Sequence, residues 1–437
     1  MQVLKFGGTS VGRPERMKAV AQLISRDNES KVVVLSALSG TTNALVAIGQ
    51  ALSKSEKEEA KAKIDALWSH YQTFYHDLLA SDEKREEAHA ILNEHFEFLY
   101  ITLRISYNEA LNRDILAQGE LMSTKLFTLY LQEQNITARL LPALEFMRTN
   151  DIGEPDVPYM SVKLNELFKM HEGVGLFVTQ GYICRNAKGE IDNLQRGGSD
   201  YTASLVGAAI RASEVQIWTD IDGMHNNDPR VVDNTHPITE LSFDEAAELA
   251  YFGAKILHPA SIWPAQKSNI PVKLLNTMEP EARGTLISTA TISDEIKALA
   301  AKDGITALKI KSSRMLMAYG FMRKIFEIFE KYNTSVDMVT TSEVAVSVTI
   351  DDASRLTLIR KELSELGHVE VDVDQTIICV VGSFVAEKRG VVDKIINAMK
   401  EIPIRMISYG GSRHNISMLI DTEYKELALK ELNKHLF

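Results

Sequence analysis

Several short stretches of this sequence combine glycines, hydroxyls and charges at spacings suited to anion chemistry. Lys5, Gly7 and Gly8 follow the apolar run Val3-Leu4, and Thr9-Ser10 lead toward a helical pattern from Pro14. A strand that delivers a lysine and two glycines to a helix start makes a phosphate cradle. Glycines admit the anion to the backbone amides, and the helix end adds partial positive charge. The lysine precedes the glycines, so this is not the GxxxxGK[ST] loop. Alone, the corner reads equally well as a structural turn.

The second stretch is Ser36-Ala-Leu-Ser-Gly-Thr-Thr-Asn43, whose hydroxyls and amides suit a carboxylate or phosphate, or merely cap a helix. Gly119-Glu120 sets a carboxylate before a helical pattern. It would grip an ammonium group, or simply favour the helix dipole from the first turn. Arg196-Gly-Gly-Ser-Asp-Tyr-Thr202 is the sharpest corner: an arginine for bidentate carboxylate binding, open backbone, and Asp200 to orient a lysine or a metal-bound phosphate. It follows an expected hairpin over 180–193 that turns at 186–189. Residues 217–223 end a strand in acids and glycine, and Asp228-Pro-Arg230 brings a further arginine. Lys255 lies in Phe252-Gly-Ala-Lys-Ile-Leu-His-Pro259 at an expected helical bend. Each stretch has a structural reading by itself; together they favour a phosphate-handling pocket.

The elements that must position these residues alternate between strand and helix. Apolar, β-branched runs predict strands at 3–6, 31–35, 138–141, 176–179, 215–219 and 272–275, with amphipathic helices such as 16–24 and 202–210 between them. That alternation predicts an α/β sheet covered by helices, with ligands at the carboxyl ends of the strands. Residues 53–115 break the rhythm with charged helical stretches at 54–67, 71–79 and 83–99, read as a helical insertion with a solvated face. Beyond about residue 290 the texture changes and repeats. An offset of 70 places Gly390 on Gly320, Ile395 on Ile325, Ser417 on Ser347 and Ile420-Asp421 on Ile350-Asp351. Two small β-α-β-β modules in tandem suit a ligand-sensing pair, or a pair of structural plugs.

The chain has 437 residues, enough for two or more domains. Lysine and arginine number 48 against 59 aspartate and glutamate, a net charge of −11 that argues against a nucleic-acid binder working by bulk charge. Any anionic substrate must therefore be held by local cations. Cys184 and Cys379 are too few for a disulfide framework or a multi-cysteine metal site, which suits a reducing compartment. With no long apolar run and no leader-like start, a cytoplasmic enzyme is expected.

The motifs LKFGGTSVG, LSALSGTTN, GELMST, MRTND, TQGYI, RGGSDYTA, WTDIDG, NDPR and FGAKILHPA together resemble the aspartate kinases of the amino-acid-kinase family, over essentially the whole chain. The resemblance implies an amino-acid-kinase sandwich with a helical insertion, followed by two α+β, ferredoxin-like ACT modules. Residues 1–290 would be catalytic, with the insertion at 53–115, and 291–437 regulatory. The first ACT module would span 312–378 and the second 297–311 with 379–437; the strand near 306–310 would pair with the C-terminal copy. The implied reaction is ATP-dependent phosphorylation of L-aspartate to 4-phospho-L-aspartate with Mg2+, the first step toward lysine, threonine and methionine.

By matching position, Lys5, Lys255 and Asp200 would be catalytic, the two lysines flanking the transferred phosphoryl group and Asp200 holding the lysine geometry. Thr42, Glu120, Tyr182, Arg196 and Ser199 would bind aspartate. Gly7, Gly8, Thr219, Asp220 and Arg230 would bind the nucleotide, and no protein ligand to the metal is named. A carboxylate is already a nucleophile at neutral pH, so catalysis would be positioning plus charge stabilisation. His225 stands where relatives often carry tyrosine and stays outside these assignments. Tyr182 replaces a common phenylalanine.

The resemblance also implies a feedback site of the lysine-sensitive type at Met315, Gly320, Phe321, Ser335, Val336, Asp337, Ser342 and Glu343. Asp337 and Glu343 would take the lysine ammonium, and amides near Gly320, Phe321 and Ser335 its carboxylate. Ala318 stands where some relatives have serine, which leaves threonine, or no effector, as alternatives. ACT pairing implies a homodimer or a dimer of dimers. The end of the chain soon after the second module leads to the expectation of a monofunctional kinase. The competing readings are another amino-acid or carboxylate kinase of the same fold, and a catalytically silent ACT sensor.

Overall fold

A computed structural model describes residues 1–194, 197–253, 257–289, 296–312, 319–383 and 385–437. The chain divides into two compact units, Met1–Met224 with Ile256–Ala290, and His225–Lys255 with Thr291–Phe437. Residues 225–255, expected with the catalytic region, thus group with the chain beyond 290.

The first unit is built on a parallel sheet. Its strands run in the order Ala138–Leu141, Leu176–Gln180, Lys31–Leu35, Gln2–Phe6, Val215–Thr219, Val272–Asn276, with Thr285–Ser288 antiparallel beside the last. All five residues of Lys31–Leu35 are buried, as a strand covered on both faces requires. Parallel pairing sets the carboxyl ends side by side: Phe6 is level with Leu35 and Trp218, and Leu35 with Gln180. Phe6 and Trp218 stack at 5.8 Å, fixing the central strands against each other.

The insertion is helical, but its breaks differ from expectation. Residues 54–67 and 71–79 belong to one helix, Lys57–Leu78, because the buried series Ala60, Ile64, Leu67, Tyr71, Phe74, Leu78 keeps helical spacing through 68–70 and no glycine or proline interrupts it. Ser81 and Asn108 cap the next two helices, Asp82–Thr102 and Glu109–Glu133, accepting from the amides of Lys84 and Leu111. The apolar faces of these helices join one core with the sheet, and most of their charges are exposed, as expected.

The second unit carries a six-stranded sheet ordered Val339–Thr341, Ala345–Ile350, Ile296–Lys311, His368–Gly382, Asn415–Asp421, Met406–Ser408. The 70-residue repeat is visible in it. Gly320 and Gly390 both sit at φ near +80° as N-caps of Phe321–Lys331 and Val391–Ala398, and Ile325 and Ile395 are both buried. Each repeat has its own core, one around Leu308, Ile325 and Val348, the other around Ile378, Ile395 and Met418. One expectation fails: residues 306–311 pair with Ala345–Ile350 of the first repeat, and residues 296–302 pair with 377–382 of the second. A register shift between Lys302 and Ile305 lets one long strand serve both repeats. Among the described residues, no helix is long and apolar enough to cross a membrane.

Candidate active site

Lys5 lies one residue from the carboxyl end of its strand, its register partners Val34 and Ile217 facing it across the central pairs. Its ammonium meets Asp200 Oδ1 at 2.6 Å, with the two side chains only 12% and 18% exposed. Asp200 reaches this place because its helix, Gly198–Ile210, starts immediately after Gly197 in a left-handed conformation. A pair so little exposed to water holds its geometry far better than a surface pair.

Gly7 and Gly8 lie beside Lys5 and the 36–43 corner. A Cβ at Gly7 would stand 3.3 Å from Lys5 Nζ, and one at Gly8 would stand 3.0 Å from the Ala37 carbonyl. The expected helix start is modified: Gly8 opens a single turn, Gly8–Val11, and the longer helix begins at Pro14. The cradle is therefore a tight loop beside Lys5 rather than the end of a long helix.

Ser199 is buried and accepts a hydrogen bond from Ser36 Oγ at 2.9 Å, joining the corners at 36–43 and 196–202. Gly181 makes this possible, since a Cβ there would lie 2.9 Å from Ser199 Cα. Next to it Tyr182 adopts φ +66°, its amide donating to Thr202 Oγ1 at 2.9 Å. Burial, then Glu120, Asp192 and Cys184, push its phenol up to about 12.

Glu120 is not in a first turn. It lies in the middle of Glu109–Glu133, so the dipole explanation does not apply to it. The side chain is 4% exposed, and Oε1 accepts from the Ala37 amide at 3.2 Å. Burial pushes its carboxyl up to about 8, the Ala37 amide offsetting part of that. A buried acid with so little compensation is poised for an ammonium partner. Thr42 is exposed in the first turn of Thr41–Ser53, while its neighbour Thr41 is buried within 3.3 Å of the Tyr71 hydroxyl. Thr219 ends the strand Val215–Thr219 and Asp220 follows it, with Thr219 Oγ1 donating to Asp220 Oδ1 at 3.2 Å and Asp220 exposed.

Lys5, Gly7, Gly8, Glu120, Tyr182, Ser199 and Asp200 are thus linked by contacts or electrostatics along the strand ends of one unit. Arg230 lies in the other unit, exposed, its guanidinium on Asp228 at 2.9 and 2.7 Å. Arg196, Lys255 and Met315 lie outside the described residues. Sequence reasoning passed over Thr202, Ser123 and Gln180, which brace the site: Ser123 Oγ donates to the Ser36 carbonyl at 2.8 Å, and Gln180 Nε2 to Thr124 Oγ1 at 2.7 Å. All three stand inside the motifs GELMST, TQGYI and RGGSDYTA, which was the signal that could have found them.

In the second unit, Gly320 is exposed, and Phe321 buries its ring in the first repeat's core, leaving only its backbone for a ligand. Ser335, Ser342 and Glu343 are exposed, and Val336 packs at the core's edge. Asp337 is not a free anion, because Lys302 pairs with it at 2.9 Å.

A parallel sheet with a lysine-and-glycine loop, a serine-aspartate helix start and a buried acid defines a class of small-molecule phosphotransferases. Residues 1–276 match the amino acid kinase family, and residues 378–436 match the ACT domain. Lysine-sensitive aspartokinase 3 of Escherichia coli is 38% identical over 449 aligned positions, covering 100% of this chain and 99% of that protein. The crystal structure of E. coli aspartokinase III with aspartate and ADP, called the R-state, superposes with a TM-score of 0.86 at 37% identity, covering both chains fully. The T-state of the same enzyme, with lysine and aspartate, gives 0.83 over 100% of this chain and 99% of that one. The chain belongs to the amino acid kinase family and, within it, to the aspartokinases.

Proposed function

We propose that this protein transfers the γ-phosphoryl group of ATP to the side-chain carboxylate of L-aspartate, forming 4-phospho-L-aspartate. The observation that carries the reading is the Lys5–Asp200 pair at the strand ends, with Ser199 and the buried Glu120 in the same hydrogen-bonded surround. The aspartate and ADP bound by the E. coli relative support it.

Glu120, Ser199, Thr42, Tyr182 and Arg196 bind aspartate in this reading. Glu120 takes the substrate ammonium, which draws the carboxyl toward its charged form as it binds. Lys5 stabilises charge on the transferred phosphoryl group, and Asp200 keeps that ammonium from swinging away. Gly7 and Gly8 give the phosphate room; Thr219, Asp220, Arg230 and Lys255 serve the nucleotide, Lys255 as the second catalytic cation. Magnesium arriving with ATP would neutralise phosphate charge, and the exposed carboxylate of Asp220 is the hard oxygen donor that fits it.

Regulation belongs to the same reading. Residues 291–437 form the ACT pair, the effector is L-lysine bound around Asp337 and Glu343, and the protein works as a cytoplasmic homodimer or dimer of dimers. The lysine bound in the E. coli T-state supports this choice over threonine. An aspartyl-hydroxamate assay with ATP tests the activity. Hydroxamate should form from L-aspartate and fall when L-lysine is added. Turnover of glutamate or N-acetylglutamate in place of aspartate, or of no substrate at all, would contradict it.

A further inference from the structure

Asp337 is gripped from two sides. Its side chain is 0% exposed, and Oδ1 accepts from the Tyr251 hydroxyl at 2.6 Å and from the Lys302 ammonium at 2.9 Å. Lys302 also pairs with Asp351 at 2.9 Å and lies 4.5 Å from the centroid of the Tyr251 ring. Asp337 Oδ2 is buried and accepts no hydrogen bond among the described residues. Two carboxylates therefore share one ammonium, and a buried oxygen remains open to one more cationic donor.

A second contact lies two residues on. Gly253 has φ +125°, and a Cβ there would stand 2.9 Å from the Ala301 carbonyl carbon, so its backbone lies directly against the strand residue before Lys302. Tyr251 and Gly253 thus both lie against positions 301–302, and Lys255 follows Gly253 by two residues in the chain.

We propose that the Tyr251–Asp337 hydrogen bond, braced by Lys302, couples ligand binding at Asp337 to the carboxyl end of the helix Phe243–Tyr251, and through it to turnover. This rests on the reading of Asp337 as the effector carboxylate. An ammonium that donates to Oδ2 balances the charge of the cluster and makes Oδ1 a poorer acceptor for Tyr251. The end of the helix Phe243–Tyr251 is then held less firmly. Coupling of this kind is reciprocal, so substrates alter effector affinity by the same factor.

Calorimetric titration of the full-length protein with L-lysine, with and without L-aspartate plus ADP, measures that factor as a ratio of dissociation constants. Ratios of about 5–150 are typical of coupled sites. Tyr251→Phe keeps the ring over Lys302 and removes only the hydroxyl. It should still bind lysine, lower turnover without lysine toward the lysine-inhibited level, and bring the ratio to within about twofold of unity. A lysine-sensitive wild type whose Tyr251→Phe variant keeps the full ratio overturns the proposal alone. Loss of lysine binding in that variant also overturns it, since the hydroxyl would then belong to the ligand site. A wild type that neither binds lysine nor is inhibited by it removes the effector reading, and this coupling with it.

Discussion

Glu120 is the residue whose environment most constrains the chemistry. Its carboxyl, raised to about 8 by burial, is largely protonated in the free protein near neutral pH, and kcat/KM reports that free state. With aspartate varied, kcat/KM should therefore rise with pH through an apparent pKa near 8, and Glu120→Gln should abolish that limb while raising KM; an unchanged profile would remove Glu120 from the ammonium site. Stability follows the opposite course. Folding holds the Glu120 proton more tightly than the unfolded chain does. The stabilising term is complete below the ordinary glutamate range and is lost as pH climbs through about 8. Compared by denaturant melts at pH 5 and 8, the wild type should lose on the order of a few kcal/mol more than Glu120→Gln. Glu120 was legible in the sequence as a carboxylate near the other corners; its depth was not, because the long helix that buries it begins eleven residues earlier, at Glu109.

At the scale of elements, strand ends and glycines decide the site. The six parallel strands were legible nearly to the residue, since apolar β-branched runs between turns have little alternative. What the sequence did not carry was closeness across the chain: Ser36 to Ser199, Gly181 against Ser199, and the two halves of Ile296–Lys311 serving different repeats. Those follow from packing, which local pattern cannot encode. Gly181→Ala places a methyl into the Ser199 backbone, which cannot yield as a side-chain tip would. It should cost about 1–3 kcal/mol of stability and raise KM for aspartate, read by melts and steady-state kinetics. In the insertion, fully buried Ile64 tests whether the helices are structural to the kinase unit. Ile64→Ala should lower stability by about 2–5 kcal/mol in one cooperative transition, whereas a separate early melt would show an independent insertion.

For the whole molecule, the sequence conveyed two kinds of architecture and an internal repeat, and both are present. It did not convey that residues 225–255 group with the regulatory sheet, because their composition resembles the α/β region before them and only tertiary contacts assign them. That grouping places Arg230 in the same unit as the six-stranded sheet. The edge strand Val339–Thr341 is exposed at all three residues, with Val344 exposed just beyond it, and an uncovered edge of this kind invites pairing with another chain. Sedimentation equilibrium should therefore give at least a dimer at micromolar concentration; a monomer would contradict ACT pairing.

The most direct measurement is rapid-quench phosphoryl transfer by Lys5→Met with saturating ATP and L-aspartate. If the lysine held by Asp200 stabilises the moving phosphoryl group, the rate of the chemical step falls about 100- to 1000-fold while ATP affinity changes little. A variant that transfers phosphate at the wild-type rate would place the chemistry somewhere other than the strand-end pocket.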